Sequence, residues 1–424
     1  MFTHSQRSLS STFVFFVAIV LMAIHMVAAT PAAQAQTATA GQIIISEFRL
    51  RGPNGANDEF IELYNASGVD HVVTSSFGNG YGVAASDGIT RCSIPNGTVI
   101  LNRGHYLCVN SVGYSLASYP AGNGTATGDA TYTTDIPDNA GIAIFNNNAG
   151  GASYSLTNRL DAVGSTSEAN TLYKEGTGYP ALTPFSIDYS FYRDNCGKQG
   201  AITGPGLCSS GGLPIDTDDN ATNFVFVDTN GTSAGAGQRL GAPGPENLTS
   251  PRVNNFNILN FPVDASTSAS APPNRFRDFT SDPANNSTFG TLSLRRVIVN
   301  NSGSPVTRLR FRIIDQTTFP APAGFADLRA RTSVAVVVSG VNDPAQCFPA
   351  SPPCSITVQG TTLEQPPSQP NGSAFNGTLS AGTITLATPL PDSQSINLQF
   401  LFGIQQTGSF RFYINIEALN SVGP

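Results

Sequence analysis

Three oxygen-bearing side chains at alternate positions form a pattern that suits metal chemistry. Asp216, Asp218 and Asn220 have the D-x-D-x-N spacing with which a loop can wrap oxygen ligands around calcium, a hard cation. The rest of an EF-hand loop is missing, because Ala221 stands at the glycine position and Val227 at the position of the final glutamate. The same spacing suits an Asx-rich turn, in which the side chains bond nearby backbone amides. Both interpretations, a calcium site and a turn, stay open.

A row of arginines is the second pattern that could do chemistry. Arg308, Arg310 and Arg312 alternate with apolar residues along one predicted strand. Because successive side chains of a strand point to opposite faces, we predict that the arginines face solvent and the apolar residues enter the core. Guanidinium groups spaced in this way can hold an anionic polysaccharide, a lipid head group or nucleic acid. The alternative is a solvated face whose arginines pair with acids on a neighbouring strand.

The six cysteines predict disulfide bonds, because an even count in an exported chain is typical of a disulfide framework. Proximity in the sequence favours three pairs: Cys92 with Cys108, Cys196 with Cys208, and Cys347 with Cys354. Other pairings are compatible with six cysteines, so the connectivity stays open. A metal site is a weaker interpretation, since the chain has no C-x-x-C motif and only His71 and His105 lie after residue 35.

The elements that must position these residues are predicted to be strands. Residues 43–65 (IIISEFRLRGPNGANDEFIELYN) indicate a strand, a loop rich in glycine, proline and asparagine, and a second strand. Apolar and polar residues also alternate at residues 308–313, 395–404 and 410–417, which is typical of an antiparallel sandwich. Residues 403–409 are predicted to join the last two strands as a hairpin. We therefore predict an all-β chain without a long helix after residue 35.

The acidic residues of the first predicted hairpin have two interpretations. Glu47, Asp58, Glu59 and Glu62 lie close together in the sequence, and a pair of carboxyl groups can do acid–base chemistry. A structural role is favoured, in which these acids accept hydrogen bonds from backbone amides or pair with nearby arginines. The sequence therefore gives no complete catalytic set in this hairpin.

Three ordered segments of the first half resemble the lamin-tail domain of bacterial proteins. The family begins with an isoleucine-rich strand ending in glutamate, followed by an acidic EFIEL.N strand. The matching residues are Ile45, Glu47, residues 58–63 and Asn65. Residues 216–224 resemble the late DT..N..DF segment, with Asn223 in place of the usual aspartate, and residues 240–247 resemble the closing PG..N. The resemblance implies an immunoglobulin-like β-sandwich and implies no reaction.

The charge is divided unevenly along the chain. Residues 36–249 have a net charge of −10, whereas residues 250–424 contain 11 arginines, no lysine and 9 acids, a net charge of +2. An acidic first half repels phosphate backbones, so nucleic-acid binding is disfavoured there. With a boundary near residue 250, we predict two β-sandwich domains at residues 41–248 and 253–424. The second resembles an uncharacterised β-rich module of secreted bacterial proteins.

Residues 1–35 have the pattern of a secretory signal peptide. Arg7 precedes an apolar run at residues 13–29, and Ala33-Gln34-Ala35 forms a small-x-small cleavage pattern. An uncleaved membrane anchor is the alternative, because the run is near the lower length that spans a bilayer. No later stretch of the sequence is comparably long and apolar. We therefore predict release to the periplasm, the cell surface or the medium.

Together these patterns predict a non-catalytic exported protein used for binding or surface assembly. Bacterial lamin-tail domains often accompany secreted enzymes or surface proteins, and the resemblance therefore implies tethering. The expected partner is an envelope or extracellular protein or polysaccharide, and the expected cofactor is none, apart from calcium at residues 216–220. The competing hypothesis is a metal-assisted extracellular hydrolase that uses Asp216 and Asp218.

Overall fold

The computed structural model describes residues 34–35, 37–195, 210–231, 239–316, 324–364 and 375–420. The chain divides into two compact units, Met1–Gln34 and Ala35–Pro424. The apolar run and cleavage pattern of the predicted leader lie outside the described residues, apart from Gln34 and Ala35. Within the described ranges, no helix has both the length and the apolar character needed to cross a bilayer.

Strands are the main regular secondary structure of the described chain. Those of the first half are β1 (Gln34–Ala35), β2 (Ile43–Arg49), β3 (Phe60–Asn65), β4 (His71–Val72), β5 (Gly80–Ala85), β6 (Thr90–Pro95), β7 (Val99–Ile100), β8 (His105–Asn110), β9 (Ala130–Tyr132), β10 (Ile142–Phe145), β11 (Arg159–Val163), β12 (Tyr189–Arg193) and β13 (Phe224–Asp228). Those of the second half are β14 (Arg252–Val253), β15 (Ile258–Pro262), β16 (Arg275–Asp278), β17 (Thr291–Asn300), β18 (Val306–Asp315), β19 (Asp327–Arg331), β20 (Val336–Val341), β21 (Cys354–Val358), β22 (Thr362–Glu364), β23 (Thr378–Ser380), β24 (Ser395–Gln406) and β25 (Tyr413–Asn420).

Helical segments are short. They are α1 (Asn220–Asn223), α2 (Pro344–Cys347) and 3₁₀ turns at Gly151–Ser153, Thr171–Tyr173 and Pro283–Asn285. The predicted all-β class is therefore confirmed. The immunoglobulin-like type of the first sandwich stays a prediction.

Besides a short sheet that contains β4 and β7 and the pair β20-β21, the described strands form four larger sheets. Two of these lie in the first half, in the orders β13-β12-β2-β3-β8-β9 and β11-β10-β5-β6. The predicted opening hairpin is confirmed, since β2 and β3 pair antiparallel with Ile45 opposite Leu63. Ile61 and Leu63 enter the main core, whereas Phe60 packs in a second apolar cluster on the other face of β3. Both faces of this central strand are thus covered, which explains why apolar residues occur at adjacent positions.

Two further sheets form the second half, in the orders β14-β25-β18-β23-β22 and β15-β17-β24-β19, with β16 added to β17. Their shared core contains Phe311, Phe400 and Phe402. The predicted hairpin at residues 403–409 is wrong, because β24 and β25 belong to different sheets. Phe412 lies in the connection between these strands, with its ring 5.6 Å from that of Phe400 and 4.9 Å from that of Phe402. The connection therefore passes across one end of the core from one sheet to the other.

The larger sheets of the two halves share no strand, and each half has its own main core. Residues 35–424 nevertheless form one compact unit. Whether the halves are separate domains, as the boundary near residue 250 suggests, stays a prediction about independent folding.

Two of the three predicted disulfides are present. Cys92 on β6 bonds Cys108 on β8 and so connects the two sheets of the first half. Cys347 in α2 bonds Cys354 on β21. The third predicted pair, Cys196 with Cys208, lies outside the described residues.

Candidate functional site

Asn220 of the predicted calcium loop has a structural role. Its side chain is buried, and its amide oxygen accepts hydrogen bonds from the backbone N–H groups of Gly164 at 2.9 Å and Glu175 at 3.0 Å. Its amide nitrogen donates to the carbonyl of Ala162 at 2.8 Å. Because two amides already occupy that oxygen, Asn220 anchors the turn and offers no ligand atom to a cation. Asp218, by contrast, is exposed, with a left-handed backbone at φ 54°.

Asp216 joins two other carboxyl groups instead, in an acidic cluster of Asp161, Glu175 and Asp216. One carboxylate oxygen of each residue lies within 4.8 Å of the others. Arg193 donates to Asp161 at 2.6 Å and to Asp216 at 3.1 Å, and Arg159 donates to Glu175 at 3.1 Å. Two cations therefore face three acids, which leaves room for one more positive charge.

Glu175 is the member of the acidic cluster that can accept that positive charge. Its Oε2 atom is buried and accepts no hydrogen bond from a described residue, while its carboxyl group shares a side-chain hydrogen bond with Asp161. Burial, followed by the negative charges of Asp161 and Asp216, raises the pKa of Glu175 to about 9. The carboxyl group therefore holds a proton at neutral pH, or it is a ligand of a hard cation that replaces the proton.

The arginine row does not face solvent as predicted. Arg310 and Arg312 on β18 are only 3% and 2% exposed, so this prediction is wrong for both. The reason is the first half, which covers their face: the Gly244 carbonyl accepts from Arg312 at 3.3 Å, and the Tyr192 ring lies 5.9 Å from the same guanidinium group. Arg308 is half-buried and forms no ion pair with a described residue. The apolar residues between the arginines do enter the core, as the alternation predicts.

Acids from three segments pair with these two arginines, and the most exposed of them, Glu364 of β22, lies 2.8 Å from Nε of Arg310. Nη1 of Arg310 lies 2.6 Å from Glu246 and 3.2 Å from Glu417. Nε of Arg312 lies 2.8 Å from Glu417, and its Nη2 lies 3.1 Å from Glu246. We call the whole set the buried charge cluster: Glu47, Glu62, His105, Glu246, Arg310, Arg312 and Glu417. Its position at the junction of the two halves excludes the solvent-facing anion site that the sequence suggested for Arg310 and Arg312.

Protons balance the excess of acids in the buried charge cluster. Burial raises the pKa of Glu47 to about 7, against the opposing charge of Arg312. Burial also raises the pKa of Glu62 well above its usual range, and the charge of Glu47 adds to the effect. Burial and the charge of Arg312 lower the pKa of His105 to about 3. At neutral pH the imidazole is therefore uncharged, and the raised pKa of Glu62 favours its protonated form.

A small polar cavity of about 20 Å³ lies inside this cluster. Its volume is enough for one water molecule. The hydroxyl of Tyr64 and Nδ1 of His105 line it without a hydrogen-bond partner among the described residues. Ligand atoms of Glu62, His105 and Glu246 also lie within 4.8 Å of one another, a nitrogen and oxygen donor set that suits zinc. The enclosed volume is too small for a substrate, so the arrangement suits a structural water or ion.

The exposed outer side of β15, β16 and β17 carries a different kind of feature. We define the aromatic–arginine face as Phe261, Phe276 and Arg295, which share one side of the sheet, together with the nearby exposed rings of Phe279 and Phe289. Phe279 is 80% exposed, and the other three rings are 47% or 48% exposed. The guanidinium group of Arg295 lies 5.5 Å from the Phe276 ring, and that of Arg277 lies 4.6 Å from the Phe279 ring. Arg277 pairs with Leu292, so it starts from the opposite side of β16, and it donates to the carbonyls of Asp278, Thr291 and Phe289. Arg295 donates to the Pro273 carbonyl at 3.2 Å and has no acidic partner within 4.0 Å among the described residues.

The opening hairpin uses its acids structurally, as expected. Arg49 forms a buried ion pair with Asp58. Glu47 accepts a hydrogen bond from the Gly244 amide at 3.0 Å, and Glu62 accepts one from the Glu246 amide at 2.6 Å. Sequence reasoning missed the partners at residues 244–246, which lie nearly 200 positions further along the chain. The sequence signal that could have revealed buried partners is the presence of charged residues among apolar neighbours within these strands.

Comparison with known proteins finds no matching family model, no matching curated protein and no matching solved structure. The resemblance to the lamin-tail domain therefore rests on the three sequence segments alone.

Proposed function

We propose that this chain is a non-catalytic exported binding protein whose first half is a lamin-tail type, immunoglobulin-like sandwich. We propose further that its aromatic–arginine face holds an acidic polysaccharide of the envelope or the medium. Two disulfide bonds and the pattern of the first 35 residues support export. The observation that carries the binding function is the exposure of Phe261 and Phe276 beside Arg295 on one sheet surface, with the exposed rings of Phe279 and Phe289 nearby.

The register of β17 spaces these groups along a line. Phe276 pairs with Ser293, and Phe261 pairs with Val297, so both rings project from the same side of the sheet as Arg295. Two positions four residues apart on a strand are separated by ~13 Å. A ring, a guanidinium group and a second ring therefore alternate over a length that suits a chain of sugars.

Charge favours a polyanionic sugar over other extended ligands. Rings pack against the apolar faces of sugars, while guanidinium groups form charge-assisted hydrogen bonds with carboxylates. The second half has a net charge of +2, whereas the first half, at −10, repels a nucleic-acid backbone. An acidic polysaccharide can contact the arginines of the second half while it stays away from the acidic first half.

Binding of the full mature chain to polygalacturonate tests this proposal, with neutral dextran as the ligand control. Phe276→Ala and Arg295→Gln are expected to weaken binding about tenfold each, since a charge-assisted contact contributes ~1.5–3 kcal/mol. Phe256→Ala is the matched control, because Phe256 is an exposed ring under Arg103 outside this face. Raising the salt concentration should weaken polygalacturonate binding through screening. Absence of binding, or equal binding by wild type and both variants, would reject the proposal.

Metal-assisted hydrolysis is the second candidate function, and the acidic cluster favours it. The observation is the buried carboxyl group of Glu175 beside two other carboxyl groups, one of which, Asp216, reaches the surface. Metal analysis of the purified protein and a phosphodiesterase assay test it. Activity that requires a divalent metal and is lost in Asp216→Ala but kept in Asp218→Ala would establish this function in place of the binding role.

A further inference from the structure

A pocket of about 280 Å³ opens between the two sheets of the second half. Leu294 and Phe400 line it from one sheet, and Ile414 and Ile416 line it from the other. Its volume is close to the lower end of the range of small-molecule pockets, roughly 300–1,000 Å³. The walls are apolar because these side chains belong to, or pack against, the core of the sandwich.

One charged residue projects toward this pocket from the central strand β17. Arg296 lies opposite Leu398 of β24 and shares its face of β17 with the core residues Leu294 and Ile298. Strict alternation places an apolar residue at this position. The neighbouring Arg295 points to the other face, where it contacts Phe276. The pocket therefore has a guanidinium group where the pattern of the strand calls for a hydrophobic side chain.

Arg296 differs from Arg310 and Arg312, the buried arginines of β18, in having no acid beside it. Arg310 and Arg312 each contact at least two glutamates, whereas no carboxylate of a described residue lies within 4.0 Å of Arg296. Its one hydrogen bond to a described residue runs from Nη1 to the carbonyl of Arg295 at 2.8 Å. Burial lowers the pKa of Arg296, and no neighbouring negative charge offsets this effect.

Three neutral polar groups also line the pocket, and one of them, Asn255, donates hydrogen bonds to Gly211 and Asn415. Asn260 on β15 pairs with Ile298, which places it diagonally from Arg296 on the same face. Its amide forms no hydrogen bond with a described residue. The Tyr413 hydroxyl, at the other side of the pocket, likewise has no partner in the described ranges. The pocket thus offers one positive charge, two amides and one phenol beside apolar side chains from both sheets.

We propose that this pocket binds a small amphipathic carboxylate, such as a medium-chain fatty acid, with the carboxylate on Arg296 and the hydrocarbon between the sheets. A planar guanidinium group matches a carboxylate through two parallel hydrogen bonds. A single positive charge with neutral neighbours suits a monoanion better than a phosphate. The apolar walls then remove the hydrocarbon from water, which contributes ~25 cal/mol per Å² of buried apolar surface. This inference uses residues separate from the aromatic–arginine face.

Calorimetric titration of the full mature protein with decanoate tests the proposal, with 1-decanol and acetate as ligand controls. Decanoate should bind, decanol should bind more weakly, and acetate should not bind measurably. Arg296→Met keeps the length and removes the charge, so it should weaken decanoate binding at least about tenfold and leave decanol binding almost unchanged. Arg308→Met, which removes a charge from another strand of the same sandwich, should leave decanoate binding as in wild type.

A second variant keeps the test independent of the stability of Arg296→Met. Leu294→Trp fills the apolar wall and should abolish binding of both decanoate and decanol. Circular dichroism and thermal unfolding confirm that each variant is folded before it is titrated. The proposal is overturned if folded wild-type protein fails to bind decanoate, or if Arg296→Met binds it as tightly as Arg308→Met.

Discussion

Glu246 and Arg310 join the end of the first half to a central strand of the second. Oε1 of Glu246 lies 2.6 Å from Nη1 of Arg310, and both side chains are only 3% exposed. Neither residue has an equivalent partner nearby in the sequence, so the pair forms only when the two halves meet. The junction is therefore held by charges that would be unbalanced if the halves separated.

Replacing Arg312 by Leu is expected to destabilise the protein by ~3–5 kcal/mol. The change leaves Glu246 and Glu417 buried without one of their two cations, and a buried charge without its partner is strongly unfavourable. Arg308→Leu is the matched control on the same strand, and it should change stability by less than ~1 kcal/mol. Urea unfolding monitored by circular dichroism measures both. Similar losses for the two variants would contradict the role assigned to the cluster.

Stability should fall as the pH rises from 5 to 8, and Glu47 should account for part of the fall. Because burial raises the folded-state pKa of Glu47 from 4.5 to about 7, the folded protein keeps a proton that the unfolded chain has lost. The stabilisation is complete below pH 4.5 and disappears as the pH passes 7. Its size is on the order of 3 kcal/mol, since one pKa unit corresponds to ~1.4 kcal/mol.

Glu47→Gln should flatten the stability profile over this pH range, because the amide imitates the protonated acid. Glu168→Gln is the control. Burial raises the Glu168 pKa, but hydrogen bonds from groups that include the Asn170 and Gly141 amides outweigh burial and hold it below its usual value. The stabilisation by Glu168 is therefore lost only as the pH falls below the pKa of an ordinary glutamate. A Glu47→Gln profile as steep as that of wild type would show that other groups cause the change.

The Cys92–Cys108 bond should stabilise the protein more than the Cys347–Cys354 bond. The first closes a separation of 16 residues and connects two sheets, whereas the second closes a separation of only 7. Loop-closure entropy grows with loop length, so the double alanine variant of Cys92 and Cys108 should lose ~2–4 kcal/mol. The double alanine variant of Cys347 and Cys354 should lose less. Denaturant unfolding of both variants checks the order, and the reverse order would refute it.

Asn220→Ala should be far more destabilising than Asp218→Asn. Removing the Asn220 amide leaves two backbone N–H groups and one carbonyl without partners in the interior, and each such group costs ~1–3 kcal/mol. We expect a loss of at least about 3 kcal/mol. Asparagine tolerates the left-handed backbone of Asp218, so the control should stay within ~0.5 kcal/mol. Thermal unfolding without added metal distinguishes this anchoring role from a calcium site.

The sequence by itself determined the β character of the chain and much of its strand pairing. Alternation at residues 43–65 predicted β2 and β3 correctly, because side chains of a strand alternate whatever lies on either side of it. The same local rule placed Leu309, Phe311 and Ile313 in the core. Cysteine proximity gave Cys92–Cys108 and Cys347–Cys354, since short loops close with the smallest loss of entropy.

Only the tertiary structure decided what covers each polar face. Arg310 and Arg312 follow the same local pattern as solvated arginines, yet acids at positions 246 and 417 surround them because the first half packs on β18. Asp216 meets Asp161 and Glu175 through the packing of β11 and β12, and the spacing of its own loop does not encode this. Periodicity reports which side of a strand a residue occupies, but the partner on that side comes from distant sequence. Long-range packing therefore set the burial, the charge balance and the pKa of these groups.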